Sequence, residues 1–155
     1  MKKRVFGLLG LLFLVTFTIT AYGESATSQA IVKGIMGEAQ FKKAGSAEWA
    51  PLTQTTVLHE GDTVKTSKDC MVKLELQGAD KTGDILVKED SEFTFKDFNH
   101  DDASQKETTR LNVKIGSILV KAEKLKGDSK FEVNTPTSIV GIRGTTFEVK
   151  VEPAS

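Results

Sequence analysis

Cysteine is nearly absent. Cys70 is the one thiol in 155 residues, so no intramolecular disulfide is available and stability must come from a packed core. Cys70 alternates with Val72, Leu74 and Leu76, which places it inward as a small apolar residue. A catalytic thiol needs an activating base beside it, and the sequence shows none paired with Cys70. Aromatic residues with a polar tip are also scarce: one tyrosine, Tyr22, and one tryptophan, Trp49. That speaks against an extended sugar-stacking platform. His59 and His100 stand alone in the sequence and read as exposed. There is no nucleophile motif, no metal-ligand spacing and no glycine-rich phosphate loop, so neither catalysis nor a cofactor is expected. Asp97-Phe98-Asn99-His100-Asp101 has the alternating oxygens of a calcium loop. Asp102 and Thr108 stand where such a loop needs glycine and glutamate, so Asp97 to Glu107 reads as a solvated acidic loop. No charge of one sign dominates, with 21 basic and 21 acidic residues. Nucleic acid as a partner wants a basic footprint and is not expected.

One long hydrophobic run is present, and it lies at the N-terminus. Lys2, Lys3 and Arg4 precede an apolar stretch from Val5 to Ile19, and Ala21-Tyr22-Gly23 gives small residues ahead of Glu24. This is the pattern of a secretory signal peptide over residues 1–23. The alternative is an uncleaved anchor, for which the stretch is borderline against the ~20 residues of a membrane span. No cysteine lies near the cut, which argues against a lipoprotein. The expected mature domain, Glu24 to Ser155, is periplasmic or secreted, has no membrane span, and is long enough for one core.

Helical periodicity is missing, and period-two alternation recurs. Gln29 to Met36, Glu38 to Lys42, Thr63 to Thr66, Cys70 to Leu76, Ile85 to Val87, Glu92 to Lys96, Phe131 to Asn134 and Ile139 to Val151 read as strands or strand pairs. Gly61-Asp62 and Ala44-Gly45-Ser46 are turn signals, and Thr135-Pro136 breaks a strand. Trp49 and Leu52 flank Pro51, which suits an edge or loop crossing. The expected fold is all-β: short antiparallel or solenoid-like strands forming a single sandwich or β-roll after the signal peptide.

Two positions break the pattern. Leu111, Val113 and Ile115 occupy odd positions, whereas Ile118, Val120 and Ala122 occupy even ones. A one-residue slip flips every side chain, so Gly116 is expected at a bulge or bend. Arg143 stands within an apolar, β-branched run, Ile139-Val140-Gly141-Ile142-Arg143-Gly144-Thr145-Thr146-Phe147. On a strand buried on both faces its charge needs a partner. The favoured expectation is an internal ion pair; the other is a recessed cation that grips an anionic ligand. Gly144 is expected to adopt a left-handed or crowded backbone.

The ending Thr135-Pro136, then Arg143-Gly144-Thr145, then Phe147-Glu148-Val149, resembles the C-terminal signature of the FecR-type domain. Gly61-Asp62-Thr63-Val64-Lys65-Thr66 is similar to that family's Gly-Asp-x-Val-x-Thr motif, and Leu111 to Val120 resembles its Leu-x-Leu-x-x-Gly-x-Leu-x-Val stretch. The likeness runs over roughly Ala30 to Val151. It implies an all-β extracytoplasmic domain of the kind that touches an outer-membrane receptor and relays its state to a cytoplasmic sigma factor. Only four residues precede the apolar stretch, so no anti-sigma segment is expected, and the relay itself is not carried over. What the resemblance leaves is a non-catalytic recognition or adaptor module with an envelope protein as partner. Alternatives are a cell-wall glycan or peptidoglycan binder, with Trp49 as its aromatic, and a structural or assembly component. Trp49 and Arg143 are the candidate binding residues.

Overall fold

Alternation of apolar and polar residues resolves into twelve strands. The computed structural model describes residues 28–153, and among them there is no helix. The expected signal peptide lies outside the described residues. The first half of the chain forms β1 (Gln29–Met36), β2 (Ala39–Lys42), β3 (Ala50–Pro51), β4 (Val57–Leu58), β5 (Thr63–Thr66) and β6 (Met71–Gln77). The second half forms β7 (Lys81–Val87), β8 (Glu92–Asp101), β9 (Lys106–Ala122), β10 (Lys130–Asn134), β11 (Ile139–Ile142) and β12 (Thr146–Val151).

They make one curled sheet in the order β3-β2-β5-β8-β9-β7-β6-β1-β4, with β10, β11 and β12 attached around β9. All pairings are antiparallel except β9 with β10. The all-β reading therefore holds, in the form of a half-barrel closed on its own core. The inner surfaces bury Val64, Val72, Leu74, Leu76, Ile85 and Leu111 with the phenylalanines of β8 and β10. Phe95 meets Phe93 edge-on and stacks on Phe98, both at 5.2 Å between ring centroids. Full burial of one such side chain stabilises by about 1.5–3 kcal/mol. Cys70 lies in this core, and burial pushes its thiol pKa up, as its alternation with Val72 implies.

β9 holds the two halves of the sheet together. Its first part, up to Ile115, lies between β8 and β10; its second part, from Gly116, lies between β7 and β12. The inward positions change from Thr109, Leu111 and Val113 to Ile118, Val120 and Ala122. Gly116 takes the slip, with φ +93°.

Three expectations are corrected. Asp97 to Glu107 is not a loop: β8 runs on to Asp101 and β9 starts at Lys106. A bulge between Phe95 and Asp97 moves the inward positions from Phe93 and Phe95 to Phe98 and His100, which hides the alternation. His100 is consequently buried rather than exposed. Ile139 to Val151 is a strand pair, as one of the two readings had it, but its upstream part is not buried on both faces: Ile139 is 73% exposed. Arg143 is exposed on the bend between β11 and β12, so the burial argument for it fails.

Candidate functional site

The family-like residues fall into a buried seam and an exposed hairpin. The seam begins at the Gly61-Asp62 turn. Gly61 has φ +84°, and its N–H donates to the carbonyl of Phe95 at 2.7 Å. Asp62 is buried, and its carboxylate accepts the N–H groups of Ala44 (2.9 Å) and His59 (3.0 Å) and the ammonium of Lys43 (3.3 Å). It thus ties the β2–β3 connection to the entry of β5. Thr66 closes β5. Its hydroxyl donates to the carbonyl of Lys88 at 2.7 Å and accepts the N–H of Ser91 at 2.9 Å. The Ser91 hydroxyl accepts the N–H of Ser117 at 2.9 Å and lies 3.2 Å from its carbonyl. Thr66 and Gly116 therefore meet through Ser91, a residue with no sequence signal of its own. Buried polar groups joined in this way fix register more than they add stability.

The hairpin is β10–β11. At its tip, Thr135 N–H donates to Ser138 O (2.8 Å) and the Thr135 hydroxyl accepts Ser138 N–H (3.0 Å). Pro136 stands within this turn. Thr135, Pro136 and Thr137 form one wall of a cleft of about 790 Å³ whose other walls include Lys65, Thr66, Ser91 and Lys114. Along the hairpin, β11 pairs with β10 alone, and among the described residues its other edge has no partner. Val140 shares a face with the buried Val133 opposite it, yet it is 37% exposed because no strand covers the edge. Ile139 stands on the outer face.

At the base of the hairpin, Arg143 lines a small groove with Lys130, Phe131, Glu132 and Ile142. No ion pair of Arg143 is found among the described residues. The paired arginine is Arg110, which sequence reasoning passed over. Its guanidinium reaches Glu132 at 2.9 Å and also binds Asp97, and the Glu132 carboxylate, with Asp97 beyond it, raises its pKa. Arg110 is the ion pair that joins β8, β9 and β10. Gly144 follows with φ +76°, and a Cβ there would stand 2.9 Å from Lys124 Cα. The carbonyl of Thr145 accepts the N–H of Ala122 (3.1 Å). Phe147 pairs with Val120 and packs on the core. These three positions anchor β12.

Trp49 sits beside edge strand β3, as Pro51 suggests. The ammonium groups of Lys42 and Lys65 lie 5.1 and 6.0 Å from the centre of its ring. Both are cation–π distances, and Trp49 remains 37% exposed. Among the described residues no helix is long and apolar enough to cross a membrane.

The described residues thus present an all-β scaffold with a polar seam and an uncovered hairpin edge. The model of the FecR protein family matches residues 62–155. That is more than half of the chain, which belongs to the FecR family and carries a FecR-like signalling domain. The matched span starts at Asp62, so Trp49 and Leu52 stand before it. No curated protein and no solved structure matches the chain.

Proposed function

We propose that this is a non-catalytic recognition module of the cell envelope that binds a protein partner through the free edge of β11. The observation that carries this reading is the unpaired edge itself. An uncovered apolar edge strand, even one as short as the four residues of β11, offers backbone groups to another chain, and folded proteins usually blunt such edges by keeping them short or with charge, proline or a covering loop. Here Ile139 and Val140 lie uncovered, with Arg143 at the end of the strand. Strand addition would supply backbone hydrogen bonds for affinity, and the alternating side chains would give specificity. Arg143 would then meet a carboxylate of the incoming strand. The extracytoplasmic setting rests on the leader pattern of residues 1–23 and on the family.

The test is affinity capture from a detergent-solubilised envelope fraction, with wild type and two variants, Ile139→Lys and Arg143→Glu. Both sites are exposed, so both variants should melt like wild type. A partner that wild type retains and both variants lose would support strand addition. A partner retained equally by all three would move the interface elsewhere. Retention on insoluble sacculi, abolished by Trp49→Ala, would favour the cell-wall reading.

A further inference from the structure

β12 has a free edge of its own. It pairs with β9 along one side, and among the described residues its other side has no partner. The strand is six residues long, against four for β11, and its register on β9 runs from Thr146 to Val151 without a bulge. Folded proteins blunt such edges with bulges, prolines, inward-pointing charges or a very short strand. β12 uses none of these. Its inward residues are Phe147, Val149 and Val151, and Pro153 lies beyond its end.

One hydrogen bond fixes which backbone groups face that edge. Ala122 N–H donates to the carbonyl of Thr145 at 3.1 Å, one step before the Thr146–Lys121 pair. Backbone groups alternate sides along an antiparallel ladder. The odd residues of β12 therefore bond to β9, and Thr146, Glu148 and Lys150 turn their N–H and C=O groups to the free side. The side chains of these three are exposed on the outer face. On the inner face Phe147 and Val151 pack on the core yet stay only half-buried.

The charges on this edge are self-complementary. Two copies related by a two-fold axis present the same strand to each other, and hydrogen bonds form only where even residues oppose even ones. With the axis at Val149, Glu148 of each copy stands opposite Lys150 of the other, and opposite charges in that position stabilise a strand pair. With the axis at Glu148 or at Lys150, like charges would face each other. The Val149 register also sets Phe147 against Val151 of the second copy and covers both. Glu148 is already held in place, since Lys88 Nζ at 2.7 Å and the Ser117 hydroxyl at 2.6 Å both bind its Oε1, which leaves Oε2 to the incoming ammonium.

We propose that β12 is a self-association edge: two copies of the chain join through an antiparallel β12–β12 pair centred on Val149, and the sheet runs on across the two-fold axis. A single strand pair is smaller than a standard interface, so the dimer forms reversibly as concentration rises. This edge is separate from that of β11 and does not depend on the reading given to it.

The test is sedimentation velocity of the untagged protein, purified from cells that express the full sequence, from about 1 μM to about 1 mM. A monomer–dimer equilibrium is expected. Lys150→Glu alone sets two carboxylates against each other in both pairs, and Glu148→Lys alone sets two ammonium groups; each should weaken dimerisation by about ten-fold. An equimolar mixture of the two variants restores opposite charges in both pairs and should dimerise far more tightly than either alone, which mixing would not achieve for a folding defect. Ile139→Lys, on the β11 edge, should leave the equilibrium unchanged. The inference is overturned if wild type stays monomeric throughout, if both charge variants dimerise like wild type, if the mixture does no better than its components, or if Ile139→Lys abolishes the dimer. Should Glu148→Lys fail to fold beside Lys88, Lys150→Glu and Ile139→Lys decide: loss in the first alone supports the β12 edge, and any other pattern overturns it.

Discussion

Replacement of Gly116 by alanine tests the account of β9 directly. Two effects combine at this position. The backbone has φ +93°, and a left-handed conformation costs a residue with a Cβ about 1–2 kcal/mol. The new methyl would also stand 2.6 Å from Ser91 Cβ and closer still to Ser91 Cα and Oγ. Ser91 is backbone-anchored through Thr66, so it cannot turn aside. Moving it would strain its hydroxyl contacts with Ser117, at about 0.5–1.5 kcal/mol for each hydrogen bond. The expected loss for Gly116→Ala is about 3–4 kcal/mol, a fall in Tm of more than about 10 °C for a domain of this size. Gly45→Ala separates the two effects, because Gly45 has φ +73° with nothing within 4 Å of the added carbon. It should lose only about 1 kcal/mol. Gly144→Ala should fall between them, since its methyl meets only one atom closer than 3 Å, Lys124 Cα at 2.9 Å. Denaturant unfolding followed by circular dichroism gives all three values. If Gly116→Ala lies within about 1 kcal/mol of Gly45→Ala, the packing of Ser91 against the crossing is not what demands glycine.

Two further outcomes are expected. Asp62→Ala should lose about 3 kcal/mol, because it leaves the N–H groups of Ala44 and His59 without their acceptor, at about 1–3 kcal/mol for each; Asp62→Asn, which keeps an acceptor oxygen, should lose less in the same unfolding assay. Hydrogen bonds from Gln77 and Lys33 hold the Glu75 carboxyl below its ordinary pKa, those from Ser104 and the Ala103 N–H do so for Asp101, and those from Lys88 and Ser117 do so for Glu148. The folded state then binds protons less readily than the unfolded chain, so this stability is present at neutral pH and declines as pH falls below about 4. Asp101 and Glu148 are exposed and Glu75 is partly buried, so molar salt should flatten most of the slope in a melting series; a salt-independent slope would point to other groups.

The legible parts of the sequence were those in which local pattern and tertiary demand agree. Cys70 to Leu76 alternates cleanly, and that strand is found. Gly116 announced its own phase slip, since only glycine suits the backbone there. The equivalent slip at Lys96 and Asp97 carried no glycine, so the polar surface of β8 read as loop and His100 as exposed. Arg143 misled for a related reason. An apolar run flanking a charge suggests burial, but Ile139 and Val140 are apolar at an uncovered edge, and an edge looks like a core strand in one dimension. The partners of Arg110, Asp97 and Glu132, come from two other strands, so no spacing reveals that site. Ser91 gave no signal because its role depends on Gly116 being opposite it.

β9 also sets the order in which the chain can complete itself. β7 and β8 are neighbours in sequence but not in the sheet, and each has β9 as its second partner. A nascent chain that ends before Lys106 therefore holds two half-sheets, each with an unfilled edge. Such edges invite pairing between molecules, and contacts between segments far apart in the chain form slowly. The domain should consequently fold as one late, cooperative step once residues 106–122 are present, and a chain halted short of them should be a target for aggregation or proteolysis.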